Sequence, residues 1–201
     1  MRKDVLTASV QKLILKQSPT QDSLKFVHPK VVEDEIAKAY RTMMIQFYAN
    51  EVNLMNAELD FYAKKYTEEI QIDSDGFSYV DLPAQVIDLK HNLGIRYVRP
   101  KGGEINFIRT RESEMETIRK LPIYCCLSDA YYYLDGSKIM FDFPVPEHRL
   151  VEEVYIKLLP EFSEFDDSDN ISFPGGDIPA MQMILQLVGF RPTDNVNDDV
   201  R

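Results

Sequence analysis

Polar and apolar positions along this chain change period more than once. From Pro29 to Lys65 there is no further proline and no glycine, and the apolar residues follow a helical spacing. Tyr40, Phe47, Leu54 and Phe61 recur every seven residues, with Ile36, Met43, Met44, Met55 and Tyr62 alongside. One wide apolar face of this kind predicts an amphipathic helix. Pro29 suits its first position, Glu33, Asp34 and Glu35 occupy its early turns, and Lys64 and Lys65 stand at the far end, as the helix dipole favours. Such a helix would be ~50 Å long, more than one small core needs. It is therefore expected to break near Ala49-Asn50, or to pack against neighbouring subunits.

After residue 66 the period shortens. Asp73-Ser74-Asp75-Gly76 is a turn, and FSYVDLP, VIDLKHNLGIRYV and EINFIRT read as strands, the second interrupted by Gly94. RESEMETIRK predicts a short charged helix with Ser113 and Glu116 at capping-box spacing, stopped by Pro122. In IYCCLSDAYYYLDGSKIMFDF, Asp135-Gly136 predicts a tight hairpin. Pro144-Val145-Pro146 leads to a last strand in LVEEVYIKLLP, and an acidic loop follows. Pro179 then opens AMQMILQLVGF, where Met181, Ile184, Leu185 and Val188 repeat helically before Gly189. The class is α+β, with a long N-terminal helix and a C-terminal helix forming a helical part around a central antiparallel sheet domain. The expected organisation is an extended N-terminal arm over 1–28, containing one short helix at most, and a single domain over 29–200. Within that domain the helical part takes 29–66 and 178–190, the β part 70–160, the acidic loop 161–177, and a polar tail 191–201.

Composition narrows the function. The 201 residues are 44% hydrophobic, enough for a core, and carry a net charge of −10. A general nucleic-acid binder would show a basic surplus instead. No apolar run is long enough to span a membrane, and the first residues lack a signal-peptide core. The two cysteines, Cys125 and Cys126, are adjacent, which suits a reducing cytosolic origin better than a disulfide framework. The charge is divided: residues 1–30 are net +4, whereas 161–201 are net −7. This complementarity makes the basic Arg2, Lys3, Lys12 and Lys16, and the tail residues Arg191, Asp198 and Asp199, candidate interface positions. Tyr131, Tyr132 and Tyr133 read either as strand filler or as contact residues, since tyrosine supplies large area with a polar tip. The eight methionines suit adaptable packing surfaces.

Catalytic patterns are thin. His28, His91 and His148 have no second ligand at metal spacing, and no Ser lies in a Gly-x-Ser-x-Gly turn. A nucleophile pairing Cys125 or Cys126 with a histidine has no local support. The glycines of PKGGE and FPGGD do not form a phosphate cradle. Asp166, Asp169 and Asn170 lack the spacing of a calcium loop. No catalytic residue, cofactor or metal is expected, and the chain reads as a non-enzymatic assembly component.

The order of elements supports that reading. A long apolar helix leads to a strand ending in Leu82-Pro83, then a short charged helix before Leu121-Pro122. Next come the hairpin GSKIMFDFP, the strand and turn EVYIKLLPEFSE, an acidic linker and a closing helix. This order resembles the head-to-tail adaptor proteins of short-tailed phages, the tail tubular protein A type. LVGFRPTDNVNDDV is similar to the end of ring proteins of crAss-like phages. The resemblance spans about residues 30–200 and leaves 1–28 unexplained. It implies a virion protein, assembled in the bacterial cytoplasm, that forms a homo-oligomeric ring, commonly of twelve subunits, beneath the portal. Portal and neighbouring tail or ring proteins would be its partners, and DNA would pass through without specific binding. Glu152, Asp166, Asp167 and Asp169 are then candidate lumen-facing acids that repel the DNA phosphates. The alternative is a monomeric or small-oligomer interaction module.

Overall fold

A computed structural model describes residues 1–17, 28–51, 59–89, 93–102, 105–124, 129–145 and 151–187. In chain order the elements are α1 (Lys3–Gln17), α2 (Pro29–Glu51), the single turn α3 (Leu59–Tyr62), β1 (Lys64–Glu69), β2 (Gln71–Ile72), β3 (Ser78–Asp81) and β4 (Ile95–Pro100). They continue with β5 (Phe107–Arg109), α4 (Glu112–Arg119), β6 (Ala130–Asp135), β7 (Lys138–Asp142), β8 (Glu153–Leu158), a 3-10 turn (Phe162–Glu164) and α5 (Asp177–Leu187). The chain is α+β. It divides into two compact units, a helical one from Met1–Tyr62 with Pro160–Arg201 and a sheet one from Ala63–Leu159.

In the helical unit, Leu6, Val10 and Ile14 of α1 are buried at successive four-residue steps. Residues 3–17 are thus a core helix and not an extended arm. Lysines on the outward positions hide this stripe in a composition-based reading. On α2, Val32, Ile36, Ala39, Tyr40, Met43, Met44 and Tyr48 are buried, a complete helical face. The two helices pack on each other and on α5, whose Ala180, Ile184 and Leu185 are buried. Pro29 opens α2 as expected. Asp177 opens α5, so Pro179 lies inside its first turn.

The helical stretch expected up to Lys65 is divided into α2, whose last residue Glu51 lies beside the break expected near Ala49-Asn50, and the single turn α3. Leu54 and Met55 lie outside the described residues. The seven-residue phase does not carry through: Phe47 is half-buried against the Tyr62 ring at 5.5 Å, but Phe61 is 77% exposed. Lys64 and Lys65 do not close a helix but begin β1. Their sequence KKYTEE alternates half-buried and exposed positions, as an edge strand does.

The sheet unit holds two sheets, β1-β8-β4 and β2-β3-β7-β6-β5. All pairings are antiparallel except β5 with β6, which is parallel and crosses over through α4. One apolar cluster draws on both sheets, with Val98, Val154, Ile156 and Leu158 from one and Val80, Ala130, Ile139 and Phe141 from the other. The hairpin turns as the Asp-Gly signal predicts, although Asp135 pairs with Lys138 and the two-residue loop is Gly136-Ser137. Gly136 has a φ of 56°, the left-handed conformation such a loop requires. α4 starts two residues before the expected box: the Glu114 carboxylate, not Glu116, accepts the Arg111 N–H at 3.1 Å. The stretch from 86 to 98 is not one strand, because β4 begins only at Ile95 and Gly94 sits in the preceding turn.

Gly94 is required by space. A Cβ there would overlap the Ile87 carbonyl oxygen and Val86 Cγ1, while the Gly94 carbonyl accepts the Leu159 N–H at 2.8 Å. Gly94→Ala is expected to cost about 1–3 kcal/mol through this overpacking. Urea unfolding should show a lower midpoint with an unchanged slope, and an unchanged midpoint would contradict the assignment.

Candidate functional site

The two oppositely charged regions meet within one chain. Helix α1 has its first free N–H groups at Lys3, Asp4 and Val5, since the Leu6 N–H already bonds the Arg2 carbonyl at 2.9 Å. The acidic segment supplies acceptors for two of them. The Asp169 carbonyl takes the Lys3 N–H at 3.2 Å, the Asp167 carbonyl takes the Asp4 N–H at 3.3 Å, and the Asp4 carboxylate takes the Val5 N–H at 2.7 Å. Met1 and Ile171 exchange a further pair of backbone bonds, both 2.8 Å. The Lys3 ammonium donates to the Phe165 carbonyl at 2.7 Å and lies 5.3 Å from the Phe162 ring centre. Acceptors and carboxylates at a helix N-terminus are favoured by its dipole as well.

Aromatic packing fixes the acidic segment. Tyr40 of α2, fully buried, contacts Phe162, Phe165 and Phe173 with ring centres 6.1, 5.8 and 5.7 Å away. The last two meet it edge to face, the favoured geometry. Asp166 and Asp169 close their own turn: the Asp166 N–H donates to the Asp169 carboxylate at 3.0 Å, and the Asp169 N–H to the Asp166 carbonyl at 2.9 Å. Glu161 stands 3.7 Å from Arg41, and burial holds its carboxyl above the usual range against the pull of that arginine.

These contacts place the residues expected from sequence. Lys3 is committed inside its own chain, and Arg2 pairs with Asp4 at 2.7 Å. Both of these candidate interface residues thus have a partner within the chain, and Arg2 is exposed. Lys12 and Lys16 are exposed on α1. Asp166, Asp167 and Glu152 are exposed, and Asp169 is half-buried. Arg191, Asp198 and Asp199 lie outside the described residues, as do Cys125, Cys126, His91, His148 and Gly189.

The tyrosine triplet is split by strand alternation. Tyr132 faces the cluster between the sheets, whereas Tyr131 and Tyr133 face the other side with Met115 of α4 and Met140. Tyr132 and Tyr133 are buried and Tyr131 half-buried, so the triplet is core and not a free contact surface. Beside it lies a polar group that sequence reading missed. Asp142, a buried carboxylate at the end of β7, accepts from the Arg119 guanidinium and the Tyr124 hydroxyl. Its partners lie 18 and 23 residues away and the three share no local spacing.

No protein-family profile and no curated protein matches this chain. Among the described residues no group of three or more His, Cys, Asp or Glu could hold a metal ion. No described helix is long and apolar enough to cross a membrane. What the sites above do chemically is organise: they tie segments together and bury charge in pairs.

Two outcomes test this. Tyr40→Ala removes the ring against which three phenylalanines pack and is expected to cost about 3–5 kcal/mol. Limited proteolysis should then cut first within 161–176; an unchanged cleavage pattern and melting point would contradict the assigned role. Alkaline titration is the second. Burial raises the Tyr124 hydroxyl well above the usual range, its hydrogen bond to Asp142 and that carboxylate's charge add to this, and Arg119 opposes it. Burial also raises Tyr132 and Tyr133, against Arg109 and Arg119 respectively. A tyrosine raised by folding contributes stability that is intact below the unfolded value of ~10 and is lost as pH rises through the folded value. Ultraviolet difference titration should show a late-ionising class among the 11 tyrosines, and Tyr124→Phe should shrink it. A single class at the ordinary value would refute this.

Proposed function

We propose that the protein is a structural subunit of a phage portal-to-tail connector, assembling as a ring around the DNA exit conduit. The observation that supports an assembling subunit best is where its apolar surface lies. Among the described residues both edges of the five-stranded sheet, β2 and β5, are unpaired, and each carries an exposed isoleucine. Ile72 is 72% exposed and Ile108 is 40% exposed. An open edge with apolar side chains is a template for pairing that free-standing proteins usually cover or charge. Phe61, Ile123 and Ile178 are further large exposed apolar residues, the kind of surface a neighbouring subunit buries.

In this reading the partners are further copies of the chain, the portal and the next tail or ring protein. The exposure of Asp166 and Asp167 on the helical unit, and separately of Glu152 on the sheet unit, supports acidic surfaces along which DNA slides, since like charge denies the phosphates a resting place. Such a subunit works by burial and shape and needs no reacting group.

Electron microscopy and light scattering of the protein, alone and mixed with the portal protein from the same virus, provide the test. Ring-shaped assemblies are expected with the portal, and Ile72→Lys combined with Ile108→Lys should prevent them while leaving the circular dichroism spectrum unchanged. A species that stays at monomer mass with and without the portal would favour a monomeric interaction module and sink the ring.

A further inference from the structure

The two outer faces of the sheet unit carry like-charged pairs of opposite sign. β8 turns Val154, Ile156 and Leu158 into the cluster between the sheets, so Lys157 and its cross-strand neighbours face outward. There Lys65 of β1 stands directly opposite Lys157, and Tyr97 of β4 stands opposite it on the other side. Side chains paired in this way have Cβ atoms about 5 Å apart, and like charges so placed repel. Tyrosine rings hold the cations without neutralising them. The Lys65 ammonium lies 3.3 Å from the Tyr155 ring centre, and the Arg99 guanidinium lies 4.7 Å from that of Tyr97. In a chain of net charge −10 this face is a local reversal of sign.

The other side of the same unit carries the complement. α4 packs on the five-stranded sheet through Met115 and Ile118, against Tyr133 and Met140. Glu112 and Glu116, one turn apart on this helix, are exposed. Helix residues four apart have Cβ atoms about 5–6 Å apart, which matches the spacing of the lysine pair. Neighbouring charges on α4 are engaged elsewhere: the Glu114 carboxylate accepts the Arg111 N–H, and Arg119 is held by Asp142. Lys120 lies one turn beyond Glu116 but makes no ion pair with it. None of Lys65, Lys157, Glu112 and Glu116 forms an ion pair among the described residues.

We propose that copies of this chain dock head to tail through these faces, Lys65 and Lys157 of one copy against Glu112 and Glu116 of the next. A face bearing a lysine pair meets itself across a twofold axis only against repulsion. The contact is therefore heterologous, the kind that builds a ring when its rotation closes. A second copy suits the face better than nucleic acid does. The chain itself offers acids at the matching spacing, whereas both tyrosine rings are already covered by cations and give a base no platform. The proposal rests on the reading that the chain assembles with its own copies, and it names the polar surfaces that meet.

Sedimentation and light scattering of the full chain, alone and with the portal protein from the same virus, test it. Lys65→Glu combined with Lys157→Glu should weaken assembly at least about tenfold, because like charges then face one another, and so should Glu112→Lys combined with Glu116→Lys. All four substitutions together set opposite charges face to face again and should restore assembly. Lys30→Glu, at an exposed position on α2, should change nothing. Raising salt from about 0.05 to about 0.5 M should weaken assembly of the parent. Circular dichroism confirms that each variant is folded. A parent that stays at monomer mass in every condition removes the ring reading and this contact with it. A parent that assembles while both double variants assemble equally well overturns this contact alone. The same holds if salt has no effect, or if the fourfold variant does not regain what the double variants lose. A DNA oligonucleotide that binds the parent but not the Lys65→Glu, Lys157→Glu variant would assign the face to nucleic acid and overturn it too.

Discussion

The packing of one tyrosine against three phenylalanines is what the helical unit depends on. Tyr40 reaches from α2 to Phe162, Phe165 and Phe173, residues spread through a segment otherwise rich in aspartate. A polar segment of that composition does not order itself, because it has too little apolar area to offset the entropy of fixing its backbone. Three buried rings change that balance. Once they hold the segment, the carbonyls of Asp167 and Asp169 stand where α1 needs acceptors, and the Lys3 ammonium meets the Phe165 carbonyl. The cap of the first helix is therefore a consequence of aromatic burial more than a hundred residues later in the chain.

The sheet unit rests on a different arrangement. β8 is paired on both sides and alternates half-buried with fully buried residues, the inward set lying in the inter-sheet cluster. On the far side of the five-stranded sheet, α4 covers Tyr133 and Met140 and brings Arg119 to Asp142. A buried carboxylate is tolerated because two donors meet it; removing one would leave charge stranded, which costs more than the pair gains. This interaction fixes where α4 lies on the sheet, and with it the parallel crossover from β5 to β6.

Much of this was legible in the chain. Pro29, the Asp135-Gly136 turn, the strand around Ser78–Asp81 and the charged helix before Pro122 follow from local chemistry, and each is found. Misreadings occurred where distant partners decide. α1 reads as an arm because its stripe of Leu6, Val10 and Ile14 is narrow and embedded among lysines, and its cap comes from residues 167–171. Lys64 and Lys65 suit a helix end by charge, yet their alternation with Tyr66 pairs with β8 instead. The tyrosine triplet reads as surface or core; the second sheet over Tyr132 and α4 over Tyr133 decide for core.

Net charge, taken as one number, hides this organisation. Part of the basic surplus at the start of the chain is used internally: Lys3 on a carbonyl and a ring, Arg2 on Asp4. The aspartates of 166–169 in turn serve α1 chiefly through their backbone, leaving the side chains of Asp166 and Asp167 facing solvent. Backbone capping and side-chain charge are thus separable, so the segment can keep its structural work while its carboxylates present a negative surface.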